Sequence, residues 1–326
     1  MIVTVTLNAA LDRTLLVPNF QPGQRHRASV GFASAGGKGL NVARALRRLG
    51  VPVVCTGLVG GESGTQIADD LGASGILNDF VRIREDSRTS VAVLDPISDQ
   101  YTEINEWGPE VGEDELDALR EKLAYLTQGA EFVVLAGTLP RGVDPDFYAE
   151  TIRELNRGQV LTVLDSEGEA LRLATRAEPT VVTPNELEAE GLVGHEFADD
   201  EDRTVAMREI LELGAREAVM TMSSGCLALV EDREAPGQGP RLYRVRLEPV
   251  DTPVSAVGSG DAFLAGYVAA RYSGSGPEEG LRFAVACGAE STQHFGAGVL
   301  DARAAERLTG DVEVEMLPDA AVESRA

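Results

Sequence analysis

The sequence predicts an α/β protein whose mainly parallel central sheet is covered by helices on both faces, making three layers. Two observations carry this expectation. Strand-like runs at 2–7, 53–59, 131–136, 160–165, 179–183 and 217–222 are separated by helical stretches, the alternation that builds a parallel sheet. The helical stretches repeat their apolar residues at three- and four-residue intervals, so each has one face to bury.

The elements follow in order. The first strand, Met1 to Leu7, starts at the amino terminus with no basic region, apolar signal core or cleavage site before it. Helix 39–49 sets Val42, Ala45, Leu46 and Leu49 on one face and Arg44, Arg47 and Arg48 on another, and Gly50 ends it. Leu116, Leu119, Leu123 and Leu126 repeat the pattern ahead of strand 131–136. Two stretches, 15–33 and 88–106, break the alternation. They read as extended, through Leu15-Leu16-Val17, Val30-Gly31-Phe32 and Val91-Ala92-Val93-Leu94, with no helix between. We expect them to form a small sheet, a lid bounded by 13–34 and 88–107, over a site that must exclude water. An exposed apolar face on such a lid offers a homodimer surface. The stretch 235–240 reads as a loop and 318–326 as a disordered tail, so that 1–326 forms one domain.

Composition removes several function classes. The 326 residues carry 53 acidic against 29 basic side chains, a net charge of −24. Nucleic acids and anionic membranes both require basic patches, so neither is an expected partner. No apolar run approaches the roughly 18 residues of a membrane span, and a cytoplasmic location is expected. Cys55, Cys226 and Cys287 form no paired motif, and His26, His195 and His294 have no ligand-like spacing. Any general base is therefore expected to be a carboxylate. Only two lysines occur, Lys38 and Lys122. Lys122 belongs to a solvated helix face, whereas Lys38 sits in Gly36-Gly37-Lys38-Gly39, where no helix surface calls for it.

Val257-Gly258-Ser259-Gly260-Asp261 precedes the apolar run Phe263, Leu264, Tyr267 and Val268, so its last residues form a first helical turn. Gly258, Ser259 and Gly260 then supply an anion hole, because amides at a helix start lack partners and glycines allow a phosphate to approach. An acid beside an anion site repels the anion unless it has a task. Asp261 either caps the helix or accepts the proton of a hydroxyl that attacks a phosphoryl group. Other phosphate-binding designs fail: Gly39 follows Lys38 where a P-loop needs Ser or Thr, the dinucleotide fingerprint has Phe at 263, and the protein-kinase motifs are absent.

Five motifs in order, Thr6-Leu7-Asn8-Ala9-Ala10-Leu11-Asp12, Gly36-Gly37-Lys38-Gly39-Leu40-Asn41, Ala136-Gly137-Thr138-Leu139-Pro140, Thr183-Pro184-Asn185-Glu186-Leu187-Glu188 and Val257 to Asp261, resemble the ribokinase-like (PfkB) sugar kinase family. The resemblance spans roughly residues 1 to 316. The opening motif, Thr102-Glu103-Ile104-Asn105-Glu106 and Arg88 look most like its 1-phosphofructokinase and tagatose-6-phosphate kinase branch.

The resemblance implies a ribokinase-like fold and phosphorylation of a phosphosugar by ATP with magnesium, most of all D-fructose 1-phosphate. Asp261 becomes the catalytic base. Asp12, Gly36, Gly37 and Asn41 are implied at the sugar, and Thr138 beside them. A phosphorylated substrate also needs cations, for which Lys38, Arg88 and Arg25 are the candidates. ATP is expected at Thr183, Asn185, Thr221, Ser223, Gly225, Gly258 and Gly260, and magnesium at Asn185 and Glu188 through water. The sequence leaves a monovalent-cation site near 255–257 and 291–298 open. Two departures bear on the nucleotide: Thr183 replaces the usual Lys before Pro-Asn, and 221–226 lacks the usual Ser-Leu-Gly pattern. A sugar-phosphate sensor that has lost the chemistry is the alternative from another class.

Overall fold

The computed structural model describes residues 1–98, 100–231, 239–248 and 253–318. The expected loop at 235–240 and tail at 318–326 fall mostly outside them. One large sheet runs from Leu77–Asn78 through Val53–Gly60, Ile2–Thr6, Phe132–Ala136, Leu161–Asp165 and Val181–Val182 to Glu217–Met222, all parallel. Val81–Ile83 also pairs with Val53–Gly60. Three antiparallel strands, Gly225–Val230, Arg241–Arg246 and Glu313–Met316, complete the far edge. The run expected at 179–183 is shortened to Val181–Val182. Pro179 and Pro184 bracket it, and neither has an N–H to give to a ladder.

Every residue of strand Ile2–Thr6 is buried. Ile2 joins one apolar cluster with Leu40, Ile67, Val268 and Leu281, while Val3 and Val5 join another with Leu119, Ile152, Leu171 and Ile210. Side chains alternate across a strand, so helices on opposite faces of the sheet receive alternate residues. The three expected layers follow. From Ile2–Thr6 the chain first builds outward to Val53–Gly60 on one side, then returns to Phe132–Ala136 on the other and continues that way. The connections diverge between Ile2–Thr6 and Phe132–Ala136, and a crevice opens beyond the carboxyl ends of such strands. Asn8 Nδ2 donates to Thr138 Oγ1 across it, at 3.0 Å.

A separate four-stranded sheet, in the order Val30–Gly36, Ala10–Leu16, Arg88–Asp95 and Gln100–Asn105, matches the two stretches that broke the alternation. It begins at Ala10 and reaches Gly36, further toward the crevice than 13–34. Its register sets Asp12 opposite Ser34 and Ser90, Arg88 opposite Ala10, and Asn105 opposite Ser90. Residues opposite one another share a face, so Asp12, Ser34, Arg88, Ser90, Glu103 and Asn105 make one polar surface.

Helix Ser259–Tyr272 is tied to the sheet by a buried ion pair. Arg271 Nη1 and Nη2 reach the two carboxylate oxygens of Glu217 at 2.9 and 3.0 Å, and Tyr267 donates to the same group at 3.1 Å. Removing one member strands a buried charge. Arg271→Met is expected to lower the unfolding free energy by about 3–5 kcal/mol, read from urea denaturation.

Candidate active site

Three helix starts point into one cleft of about 250 Å³, lined by Lys38, Asp165, Asn185, Glu188, Gly260 and Asp261 with Thr183, Thr221 and Gly258. Lys38 opens helix Lys38–Arg48, Asn185 caps Glu186–Val193, and Gly258 caps Ser259–Tyr272. Gly258 has φ +79°, and a Cβ there would lie 2.6 Å from that of Ala297, so only glycine permits this turn. The positive ends of the helices and their first-turn amides make the cleft suited to an anion. The Ser259 amide is turned onto the Ala256 carbonyl at 3.2 Å. Gly260 and Asp261 remain as first-turn donors.

Asp261 is 7 % exposed, and Asn41 Nδ2 donates to its Oδ2 at 2.8 Å. Burial, then the neighbouring Asp165 charge, pushes its carboxyl up to about 7; the Asn41 hydrogen bond and Lys38 oppose the rise, and Asp12 adds to it. Asn41 was expected at the sugar hydroxyls. In the fold its amide spans Asp261 and Arg44, whose Nη1 donates to Asn41 Oδ1 at 3.2 Å. It lies one turn into helix Lys38–Arg48 and holds the acid in the first turn of helix Ser259–Tyr272.

Lys38 Nζ lies 2.8 Å from Asp165 Oδ1 and 3.5 Å from Glu188 Oε1. Burial works against the ammonium, but the two carboxylates outweigh it and hold the Lys38 pKa above its ordinary value. The structure therefore groups Lys38 with the cleft, apart from Arg25 and Arg88. Asn185 and Glu188 satisfy each other in a capping box: Asn185 N donates to Glu188 Oε2 at 2.8 Å, and Glu188 N to Asn185 Oδ1 at 2.9 Å. Glu188 Oε1 and the Asn185 Nδ2 group are what remains for a ligand.

On the small sheet, Asp12 is half-buried, and its carboxyl is pushed up to about 6 by burial, with the Arg88 charge opposing. Gly36 makes room for it, since a Cβ at 36 would fall 2.0 Å from Asp12 Oδ2. Gly37 caps helix Lys38–Arg48. Arg88 donates to the carbonyls of Asn8 at 3.2 Å and Glu106 at 3.5 Å. Burial lowers its pKa while Asp12, Glu103 and Glu106 oppose that. Carbonyls, not a hydrogen-bonded carboxylate, hold this guanidinium. It also borders a second, open cavity of about 580 Å³ beside Arg84, Trp107 and Arg141.

Some expected residues stand elsewhere. Arg25 is exposed in the connection beyond Leu16; four residues of strand, about 13 Å, separate Asp12 from that end. Ser223 lies in the turn between Glu217–Met222 and Gly225–Val230, and Gly225 opens the second of these strands; neither lines the cleft. The Thr183 hydroxyl donates to the Leu164 carbonyl at 3.3 Å. Thr221 lines the cleft and bridges Asn185. Two site residues were missed. Asn8 carries a buried Oδ1 with no partner among the described residues. Asp165 ends strand Leu161–Asp165, and an acid at the carboxyl end of a parallel strand was the available signal.

The profile of the pfkB family of carbohydrate kinases matches residues 4–303. The chain is 34 % identical over 319 residues to the 1-phosphofructokinase of Rhodobacter capsulatus, covering 97 % of this chain and 98 % of that protein. Among solved structures it is similar to phosphofructokinase-2 from Escherichia coli in complex with fructose-6-phosphate, with TM-score 0.86, 26 % identity and coverage of 95 % and 98 %. It is also similar to Arabidopsis thaliana ribokinase complexed with ribose and ATP, with TM-score 0.72, 25 % identity and coverage of 94 % and 98 %.

The raised carboxyl of Asp261 has a consequence for stability. The folded protein holds this proton more tightly than the unfolded chain does, so stability is lost as pH rises from the ordinary carboxylate range through about 7. Asp261→Asn is expected to raise the unfolding free energy at pH 8 by on the order of 1–3 kcal/mol. The gain should fade toward pH 4 in denaturation curves measured across that range.

Proposed function

The chain belongs to the pfkB family of carbohydrate kinases, and from that premise we propose that it transfers the γ-phosphoryl group of ATP to D-fructose 1-phosphate, giving fructose 1,6-bisphosphate and ADP. The observation that carries the reading is a buried, proton-holding Asp261 at a helix start that also offers amides to an anion. An acid there is costly for a binding site alone, and useful where a hydroxyl must lose a proton as it attacks phosphorus.

In this reading Asp12 and the polar face of the small sheet bind sugar hydroxyls, with Thr138 and the Gly36–Gly37 backbone beside them, and that sheet acts as a lid. Arg88, whose hydrogen bonds go to carbonyls, supplies the cation for the phosphate already on the sugar. ATP phosphates enter the cleft against Gly258, Gly260 and Lys38, and Asp261 takes the proton of the attacking hydroxyl. The amides of Gly260 and Asp261 and the Lys38 ammonium stabilise charge on the transferring group.

Magnesium fits as an ion carried by the nucleotide. Among the described residues no group of three or more His, Cys, Asp or Glu could hold a metal. Glu188 Oε1 remains as an acceptor for its waters, while Asn185 Oδ1 is engaged in the capping box and Asp165 Oδ1 by Lys38. Bound with ATP, magnesium would supply charge neutralisation on the phosphates.

The reading extends to a homodimer. Val30, Phe32 and Tyr101 are exposed on the small sheet, on the face that carries Asp12, and a second copy would cover them. It also includes a cytoplasmic location, in keeping with three buried, unpaired cysteines. No helix among the described residues is long and apolar enough to cross a membrane.

ADP release measured with fructose 1-phosphate, fructose 6-phosphate, tagatose 6-phosphate and unphosphorylated sugars tests the reading. Fructose 1-phosphate should give the highest kcat/KM; preference for either 6-phosphate would reassign the substrate, and no sugar-dependent release would favour a sensor. Its kcat/KM should rise with pH to a plateau through a midpoint near 7, because the free enzyme must lose the Asp261 proton. Asp261→Asn is expected to lower kcat by roughly 10²–10⁴ with ATP binding nearly intact. Arg88→Ala should weaken phosphosugar binding by roughly 2–5 kcal/mol and spare ATP, as measured by calorimetry.

A further inference from the structure

We propose that Asp165 is a positioning residue of the phosphotransfer site, which anchors the Lys38 ammonium in the cleft and acts on the reaction through that lysine. The inference rests on the kinase reading, and it explains why a second acid stands where phosphates must enter. Asp165 is nearly buried at the end of a central strand, with its side chain 9 % exposed. Its backbone is locked, since it pairs with Ala136 and its carbonyl accepts from Gly137 N at 2.8 Å. Lys38, by contrast, sits at the end of a flexible four-carbon stem, and without an anchor its charge has no fixed position.

The geometry singles out Asp165 as that anchor. It approaches Nζ to 2.8 Å, whereas Glu188 Oε1 stands at 3.5 Å and Glu188 Oε2 is spent on its own helix cap. An ammonium has three N–H donors. Two face these carboxylates, and the third is left for an oxygen of the transferring phosphoryl group. Asp261, Gly258 and Gly260 line the same cleft, so an ammonium fixed there serves the group those residues surround.

The two-lysine composition makes the anchor directly observable. In a Lys122→Arg protein Lys38 is the sole lysine, and isotope-labelled lysine gives a single ammonium signal by NMR. That signal should exchange slowly with water, persist in Glu188→Gln and be lost in Asp165→Asn. With fructose 1-phosphate, Asp165→Asn should lower kcat by roughly 10–100-fold, less than the loss of a direct donor, and leave the phosphosugar KM within about twofold. Lys38→Met should cost at least as much. The double variant should be no slower than Lys38→Met, because a residue that acts through Lys38 has nothing left to act on.

An unchanged Lys38 signal in Asp165→Asn, or losses that multiply in the double variant, would overturn the proposal. So would a raised magnesium requirement in Asp165→Asn that survives in the Lys38→Met background, which would make Asp165 a partner of the metal. If the unaltered protein turns over no phosphosugar, the kinase reading fails and takes the catalytic part of the proposal with it. The NMR signal still decides the anchor.

Discussion

Buried negative charge is the constraint around which this molecule is organised. Asp261, Asp165 and Glu188 converge on a cleft with a single ammonium, that of Lys38, among them. Carboxylates removed from water repel one another and lose hydration, so such a group persists only where cations, hydrogen bonds or a retained proton offset the cost. All three devices are present. Lys38 pairs with Asp165, Asn41 donates to Asp261, and Asp261 holds its proton to near neutrality. The helix starts add their positive ends, and with them the amides that an anion needs.

The fold supplies the positions that this arrangement requires. Asp165 comes from the end of one strand, Lys38 and Asn41 from a helix whose start lies nearby, and Asp261 from a helix more than 200 residues later. They meet because the sheet order turns outward in opposite directions from Ile2–Thr6, and the crevice that this leaves is where strand ends and helix starts face each other. The buried Glu217–Arg271 pair fixes the far end of the helix that carries Asp261. Rigidity in the sheet thus becomes precision at the cleft.

The small sheet provides the other half. Its pleat sends alternate residues to opposite faces, and the pairing register gathers Asp12, Ser34, Arg88, Ser90, Glu103 and Asn105 on one of them. Such a surface suits a polyhydroxylated anion, with donors and acceptors for hydroxyls and a guanidinium whose hydrogen bonds go to carbonyls.

Much of this was legible in the linear chain. Strand-like runs and helical periodicity indicated the three layers, and the break in alternation indicated the second sheet, because periodicity is a local property that burial imposes on each element separately. The glycine-flanked Asp261, and Lys38 as one of two lysines, stood out for the same reason: each violates its local context. Partnership is different, because it depends on distances between elements far apart in sequence. Asn41 reads as a sugar ligand, and the fold also brings its amide between Asp261 and Arg44; Arg25 reads as a phosphate ligand, and it lies in the connection after Leu16. Asp165 carried a faint signal at a strand end and gained meaning only when Lys38 proved to lie 2.8 Å away. Residue chemistry and element type are written locally, whereas the pairing of charges 127 residues apart is set by packing that no local pattern encodes.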